Sequence, residues 1–588
     1  MEFSKNKTLI PVRIPAEPDP DFIYLGIWAV PEKKVPDPAD LAILPYHYRD
    51  RNLLRADYDL CLSLYQHWVS KLGTLLNRIH GVSYPLRSWK ILLGPWLLGF
   101  INVLCDRHRS LQAALQEKRI GKVITLSEDS FQIPLDYLEY VYLLEEDKYN
   151  HQIYTQLLSL MNMPVGSFEP LARKENQLDP SATTNRKEVF KNTLKRMGNE
   201  MISLIPGSKY SQIAIRLMGA QNTLALFYRS RGKLRPLLAP FLFPSEIDSD
   251  PAQRKDLGQS LESSDTKKDS HFLDRALETL ISHHLPRLYL EGFSSLRNTQ
   301  TQKSENLILG GGEVHQDEAC KAWVAESISR NPETKIMVGQ HGGFYGTAAF
   351  SPLEFHERDI ADYYLTMGWQ EERTIPYSNP LLFSAMKGSG QNPIPGSILF
   401  ASNTGPRYLR RIWSSPVAAS LLEYYRSREK FLRAVGEEYR DQILVRLHPR
   451  DHGWGQKTLL NDLPWVRFDA GEKSFKQRLS ETQICVVDNN HTTLLESLAE
   501  GKPTILYLDP AYWELREVAK PYFEDLRIQG VFHESAASAG EFLHELLKES
   551  KIQPWWSSQS VQKAVSNFQD RFCRQEENWS QNLLNQLD

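Results

Sequence analysis

Apolar residues recur at helical spacing between about Ala56 and Ile79, through Leu60, Leu64, Trp68, Leu72, Leu75 and Leu76, and predict one long helix. Ahead of it, Phe22–Ile27 is a short apolar run that reads as a strand, followed by a loop with several prolines. The most apolar stretch, Ile91–Leu104, contains a Pro and is shorter than the roughly 20 residues a bilayer span needs, so it predicts a buried helix. Lys122–Leu126 reads as another strand, and 136–163 as a helix rich in Tyr and Leu. The polar, aperiodic stretches 172–188 and 245–270 read as loop or linker, and no internal repeat is visible.

From about Glu305 the pattern becomes short apolar runs alternating with helical segments. Lys335–Val338 is a strand candidate ending in Gly339-Gln-His-Gly-Gly343. Beyond the Gly/Pro-rich stretch Gly388–Gly396 come strand candidates Ser397–Ala401, Ile443–Leu447, Ile484–Val487 and Thr504–Leu508. This is the βαβ rhythm of a parallel sheet covered on both faces. The expected architecture is therefore α/β with two facing Rossmann-like halves and helical additions in the first. The expected boundaries are 1–386 for the first half, 387–553 for the second, with the hinge near 387–396, and 554–588 for a helical tail that crosses back.

Composition changes little in this picture. A chain of 588 residues is too long for one core, and 69 basic against 72 acidic residues leaves a net charge of −3, which disfavours nucleic acid as a partner. Five scattered cysteines form no CxxC pair, which argues against a disulfide framework or structural zinc and fits a reducing cytoplasm. The opening residues lack the layout of a secretory signal. A cytoplasmic protein is expected, with peripheral association at the inner membrane left open.

Ligands of open parallel sheets bind beyond the carboxyl ends of the strands, so polar residues there are the site candidates. After the strand at 443–447 the chain turns at His448-Pro449-Arg450, where an imidazole and a guanidinium can meet phosphate oxygens. The alternative is a polar turn that only ends the strand. After Val487, the loop Asp488-Asn-Asn-His-Thr-Thr493 opens a helix, so Asn490, Thr492 and Thr493 are candidates for an anion site at its N-terminus. Glu496, three residues after Thr493, also fits a simple capping box. Arg407 and Tyr408 lie at another expected crevice loop, as donor contacts or as structural residues.

In the first half, Gly339–Gly346 is the most specific segment, with Gly342 and Gly343 allowing close approach of a ligand, Gln340 as a candidate ligand contact and His341 on the crevice floor. Glu354 and Glu357 would share one helix face. His341 or Glu357 is the candidate general base, against a reading in which His341 is structural and both glutamates lie on a solvated surface. No Walker loop and no well-placed GxGxxG occurs, and neither HExxH nor a comparable ligand spacing supports a metal, so no cofactor and no metal are expected.

With these residues in view, the chain resembles a family of bacterial surface-carbohydrate (surface-polysaccharide) transferases with a GT-B-like layout. The resemblance spans most of the length through Pro45–Arg51, Trp89–Trp96, Asp106-Arg107, Gly339–Gly346 and the region from His448-Pro449 to Thr493. Where an acidic residue is expected after the glycine of Leu25-Gly-x-Trp28, this chain has Ile27. An HP dipeptide followed by a Thr pair also looks like bacterial sialyltransferases and Kdo transferases. That similarity implies a CMP-activated nonulosonate or Kdo-like donor, no metal, His448 on the departing phosphate, and Thr492 and Thr493 on its oxygens. The implied partners are a nucleotide-sugar donor and a polysaccharide or glycolipid acceptor, with Pro45–Arg51 and Trp89–Trp96 shaping the acceptor pocket. Two alternatives remain, a CDP-alcohol phosphotransferase of the wall-polymer type and a non-catalytic carbohydrate-binding protein.

Overall fold

The computed structural model of the chain describes residues 7–35, 37–161, 167–171, 211–214, 218–237, 246–262, 272–298, 306–380 and 393–587. The 172–188 stretch and most of the 387–396 hinge lie outside these residues.

Among the described residues, three parallel sheets organise the chain. The first comprises β1 (Lys7–Ile10), β2 (Phe22–Tyr24), β3 (Ala42–Ile43), β4 (Ile120–Leu126) and β5 (Ser167–Leu171), in the order β3-β2-β1-β4-β5. The second comprises β6 (Ser211–Ala214), β7 (Leu234–Leu237), β8 (Leu307–Gly310), β9 (Lys335–Gly339), β10 (Tyr363–Thr366) and β11 (Thr374–Pro376), in the order β11-β10-β9-β8-β6-β7. The third comprises β12 (Ile394–Ala401), β13 (Ile443–Arg446), β14 (Thr482–Val487), β15 (Thr504–Tyr507) and β16 (Phe532–His533), in the order β13-β12-β14-β15-β16. The architecture is the parallel α/β kind that the βαβ rhythm implies. The residues before the third sheet carry two sheets, however, where the apolar pattern showed one α/β half. Strands β14 and β15 are buried almost throughout, which is why they read as continuous apolar runs rather than alternations.

The longest helix-forming region explains itself residue by residue. Asp50 caps the helix Arg51–His80, its carboxylate accepting from Asn52 N at 2.9 Å and Leu53 N at 3.2 Å, and Gly81 ends it at φ 62°. The apolar stretch at 91–104 is the middle of a second helix, Leu86–Leu115. Polar residues extend it at both ends, so it is long and apolar enough to cross a membrane, yet 89% of its apolar window is buried inside the protein. It is a core helix, packed against Arg51–His80, Glu318–Arg330 and Pro352–Ile360. Gly94 makes that packing possible, because a Cβ there would stand 2.4 Å from His356 Cε1.

Two other expectations change. The 245–270 stretch is not all linker, since Asp250 caps a helix Pro251–Leu261 whose Arg254, Leu257 and Leu261 are buried. Its few apolar residues hid it, although the Asp-Pro start is a helix signal. The region 136–163 is two helices, Tyr137–Leu143 and Asp147–Met161. At the C-terminus, the helix Gln559–Phe572 packs on the third sheet's helices, Arg574 N donates to Met367 O at 2.9 Å, and Leu583 is buried beside Met218 and Leu226 of the second sheet's core.

Candidate active site

The loops leaving β9 and β14 touch. A Cβ on Gly343 would lie 2.3 Å from Thr492 N and 2.4 Å from His491 C, so only glycine lets the first loop rest on the helix Thr492–Ala499. Asn490 Nδ2 donates to Thr347 Oγ1 at 3.0 Å across the same contact. Gln340 shapes the glycine loop from beneath, its Nε2 donating to Gly342 O at 2.8 Å while its Oε1 accepts from Trp369 Nε1 at 2.8 Å. The carboxyl ends of the second and third sheets thus face one another across a crevice, a two-Rossmann, GT-B-like layout.

His341 stands in that crevice, its side chain one-third exposed, with Nδ1 2.8 Å from Glu357 Oε1. Glu357 is fully buried on the helix Pro352–Ile360, which begins at Ser351 with its hydroxyl accepting from Glu354 N at 3.4 Å. His315, on the single turn Glu313–Gln316 after β8, places its Nδ1 3.3 Å from the same Glu357 oxygen. Tyr364 Oη donates to the other oxygen, Oε2, at 2.7 Å. Burial alone would raise the Glu357 carboxyl, but the two imidazoles facing it pull it down to about 2. A buried carboxylate behind a half-open imidazole is an arrangement for fixing a histidine tautomer. Of the two candidate bases, only His341 can reach a ligand.

His341, Arg410 and Arg411 form the shared wall of two cavities, each of about 330 Å³. The cavity on the third sheet's side is lined by Gly342, Trp413, Tyr424, His491, Thr492 and Trp513. The His491 ring lies 5.1 Å from that of Phe344, 5.6 Å from Trp413 and 5.7 Å from Trp513, and burial together with nearby Arg411 pushes its pKa down to about 3. The cavity on the other side is lined by Pro95, Leu138, Tyr142, His315, Leu353 and Arg450.

Arg411 is placed by the loop after β12, which leans on the first half of the chain. Ile412 N donates to Asn102 Oδ1 at 2.8 Å, and Arg107 Nη2 donates to Leu409 O at 3.0 Å. Arg410 pairs with Glu145 at 3.0 Å, and so does Arg450 at 2.6 Å. Arg411 lies over the Trp413 ring at 5.1 Å and has no carboxylate partner among the described residues. A half-buried guanidinium without a counter-charge, between two cavities, is built to receive an anion.

Several expected residues stand elsewhere. His448 is exposed and lines neither cavity; its Nδ1 accepts from Arg450 N at 3.1 Å, so Pro449 turns the chain without aiming the imidazole inward. Arg407 is buried and structural, donating to Trp28 O at 2.6 Å and pairing with Asp147 at 3.1 Å, whereas its neighbour Tyr408 does line the first cavity. Thr493 and Glu496 line neither cavity, and no capping box forms because the N-cap is His491, which makes no side-chain cap. Glu354 is buried rather than solvated, pairing with Arg516 at 2.8 Å. Of the segments expected to shape an acceptor pocket, Pro95 alone lines the second cavity. Trp89 and Trp96 are core, Arg51 is clamped to Glu514, and Tyr46 and His47 hold Asp106. His315 and Arg411, both at the junction, were not among the expected residues.

The facing parallel sheets and the junction of cavities give the chain room for two ligands side by side at His341. The chain belongs to the LIC12162 family of transferases, which it matches over residues 8–587. No curated protein matches it in sequence. Among solved structures it is similar to a complex of S. aureus MnaA with UDP (11% identity, 65% of this chain and 96% of that one, TM-score 0.36). It is also similar to the glycosyltransferase SnogD from Streptomyces nogalater (13% identity, 65% and 100%, TM-score 0.34) and to the wall teichoic acid polymerase TagF (11% identity, 46% and 74%, TM-score 0.26).

Proposed function

We propose that this transferase moves a sugar from a nucleotide-activated donor to a hydroxyl of a surface-polysaccharide or glycolipid precursor. The observation that carries the reading is that His341, Arg410 and Arg411 line both cavities at once. The donor occupies the cavity between Trp413, Tyr424 and Trp513, and the acceptor enters the one lined by Pro95, Leu138 and Tyr142. The Glu357 carboxylate, 2.8 Å from Nδ1, electrostatically favours the proton on that nitrogen, so His341 keeps a lone pair on Nε2 to take the acceptor's hydroxyl proton. The new bond to the anomeric carbon forms as that carbon's bond to the donor phosphate breaks. The electron pair leaves on the phosphate, which Arg411 and the backbone amides at the start of Thr492–Ala499 neutralise.

The donor nucleotide is a separate matter. A CMP-activated nonulosonate or Kdo-like sugar is the donor the HP similarity implies, but it assigns His448 to the phosphate, and His448 is outside the cavity. Thermal unfolding with CMP, CDP, UDP, GDP and ADP, with and without Mg²⁺, tests the reading. One nucleotide should stabilise the protein; the shift should vanish in Arg411→Ala and persist in His448→Ala. No response to any nucleotide would remove the donor from this cavity and the reading with it.

A further inference from the structure

We propose that His315, His341 and Glu357 form a binding site for a divalent transition-metal ion of the zinc class, and that an ion bound there switches off His341. The three side chains come from three separate elements, and their nearest ligand atoms all lie within 4.8 Å of one another. Glu357 Oε1 is 2.8 Å from His341 Nδ1 and 3.3 Å from His315 Nδ1. Those distances are short, yet Glu357 Oε1 and His315 Nδ1 are both buried and both lack a hydrogen-bond partner. Two buried, unsatisfied atoms aimed at one point are costly unless something joins them. In a tetrahedral zinc site with bonds of about 2.0–2.1 Å, neighbouring ligand atoms sit about 3.3 Å apart, so a shared cation accounts for the convergence.

The surroundings fit this chemistry. Tyr364 Oη holds Glu357 Oε2 at 2.7 Å, the outer contact that orients a ligating carboxylate. Gln316 Nε2 stands 3.1 Å from His315 Nε2; a half-turn of that amide brings its oxygen to the ring, where it accepts the Nε2 proton and leaves the Nδ1 lone pair free for a metal. His341 is the partly exposed member, so the fourth position faces the cavities and is open to water. One carboxylate and the nearby Arg411 cation make the site weaker than a resident structural zinc site, so the ion is gained and lost reversibly.

Occupancy has a chemical consequence, which rests on the reading of His341 as the base; the binding itself does not. A metal on Nδ1 forces the neutral ring's proton onto Nε2. No lone pair then faces the acceptor, and the proton cannot be taken.

The test uses the full-length protein, stripped with a chelator and dialysed against Zn²⁺, and against Co²⁺ as a coloured probe. One ion per chain is expected, with visible absorption of tetrahedral Co²⁺, and affinity lowered at least tenfold in both His315→Gln and Glu357→Gln. Where a variant fails to fold, zinc protection of His341 from diethyl pyrocarbonate in the unaltered protein supplies the same answer. Absence of stoichiometric binding, binding unchanged in both folded variants, or His341 unprotected would overturn the site. Nucleotide-induced stabilisation, measured without metal, reports on the donor reading separately. Transfer that proceeds undiminished with the site filled would overturn the switch.

Discussion

At the scale of single residues, the site divides between groups that touch ligands and groups that hold them. His341 is in contact with both cavities, whereas Glu357 acts on ligands only through it. Replacing His341 by Ala should therefore cut kcat about 10²- to 10⁴-fold while leaving the unfolding temperature and nucleotide affinity close to those of the parent. His448→Ala should leave kcat nearly unchanged. Steady-state transfer rates beside melting curves check both, and a larger loss at His448 than at His341 would reverse their assignments. Sequence logic puts His341 at a strand end and Thr492 at a helix start, and both line a cavity; it puts Glu357 only on a helix face shared with Glu354. It missed His315 and Arg411 for a physical reason. Arg411 lies in an irregular loop whose path is set by Asn102 and Arg107, some 300 residues away in sequence, as the separations of 310 and 302 show. No local pattern records such a contact.

At the scale of elements, the decisive feature is the contact between the β9 loop and the helix Thr492–Ala499. Gly343→Ala would drive a methyl group into the backbone of His491 and Thr492, which has no flexible side-chain end to yield. A loss of about 1–3 kcal/mol is expected from such overpacking, with weakened nucleotide binding because the two loops must part. Denaturant unfolding measures the first and thermal shift the second; a variant equal to the parent in both would show that the loops do not depend on this contact. Of the strands visible in the sequence, β9, β14, β15 and the end of β12 are buried on both faces, whereas β13 alternates buried and half-buried positions. β10 begins with the exposed Tyr363 and passes for loop, and the Leu86–Leu115 helix was underestimated because its polar ends are buried by other parts of the chain.

At the scale of the whole molecule, the early part of the chain is tied to the third sheet's region by polar contacts, among them the half-buried pair of Arg51 with Glu514 and the buried Arg407 with Trp28 and Asp147. Buried histidines add a dependence on pH. Burial pushes the pKa of His284, and of His491, down to about 3. In the unfolded chain each titrates near 6.5, so the unfolded state takes up their protons first. Stability is thus fully present above about pH 6.5 and falls as pH drops toward 3, by up to about 1.4 kcal/mol per pH unit for each histidine. Melting temperatures measured from pH 8 to pH 5 should decline below 6.5, less steeply in His284→Gln; a flat profile would mean that these rings are not held neutral.

The junction of two cavities at His341 and Arg411 is tested most directly by a crystal structure of the protein with the nucleotide that stabilises it best. The nucleotide should lie between Trp413 and Trp513, with a phosphate oxygen within hydrogen-bond distance of Arg411 and the His341 ring facing the vacant second cavity. A nucleotide bound instead beside His448, with the cavity at Arg411 unfilled, would contradict the assignment of both the donor site and the base.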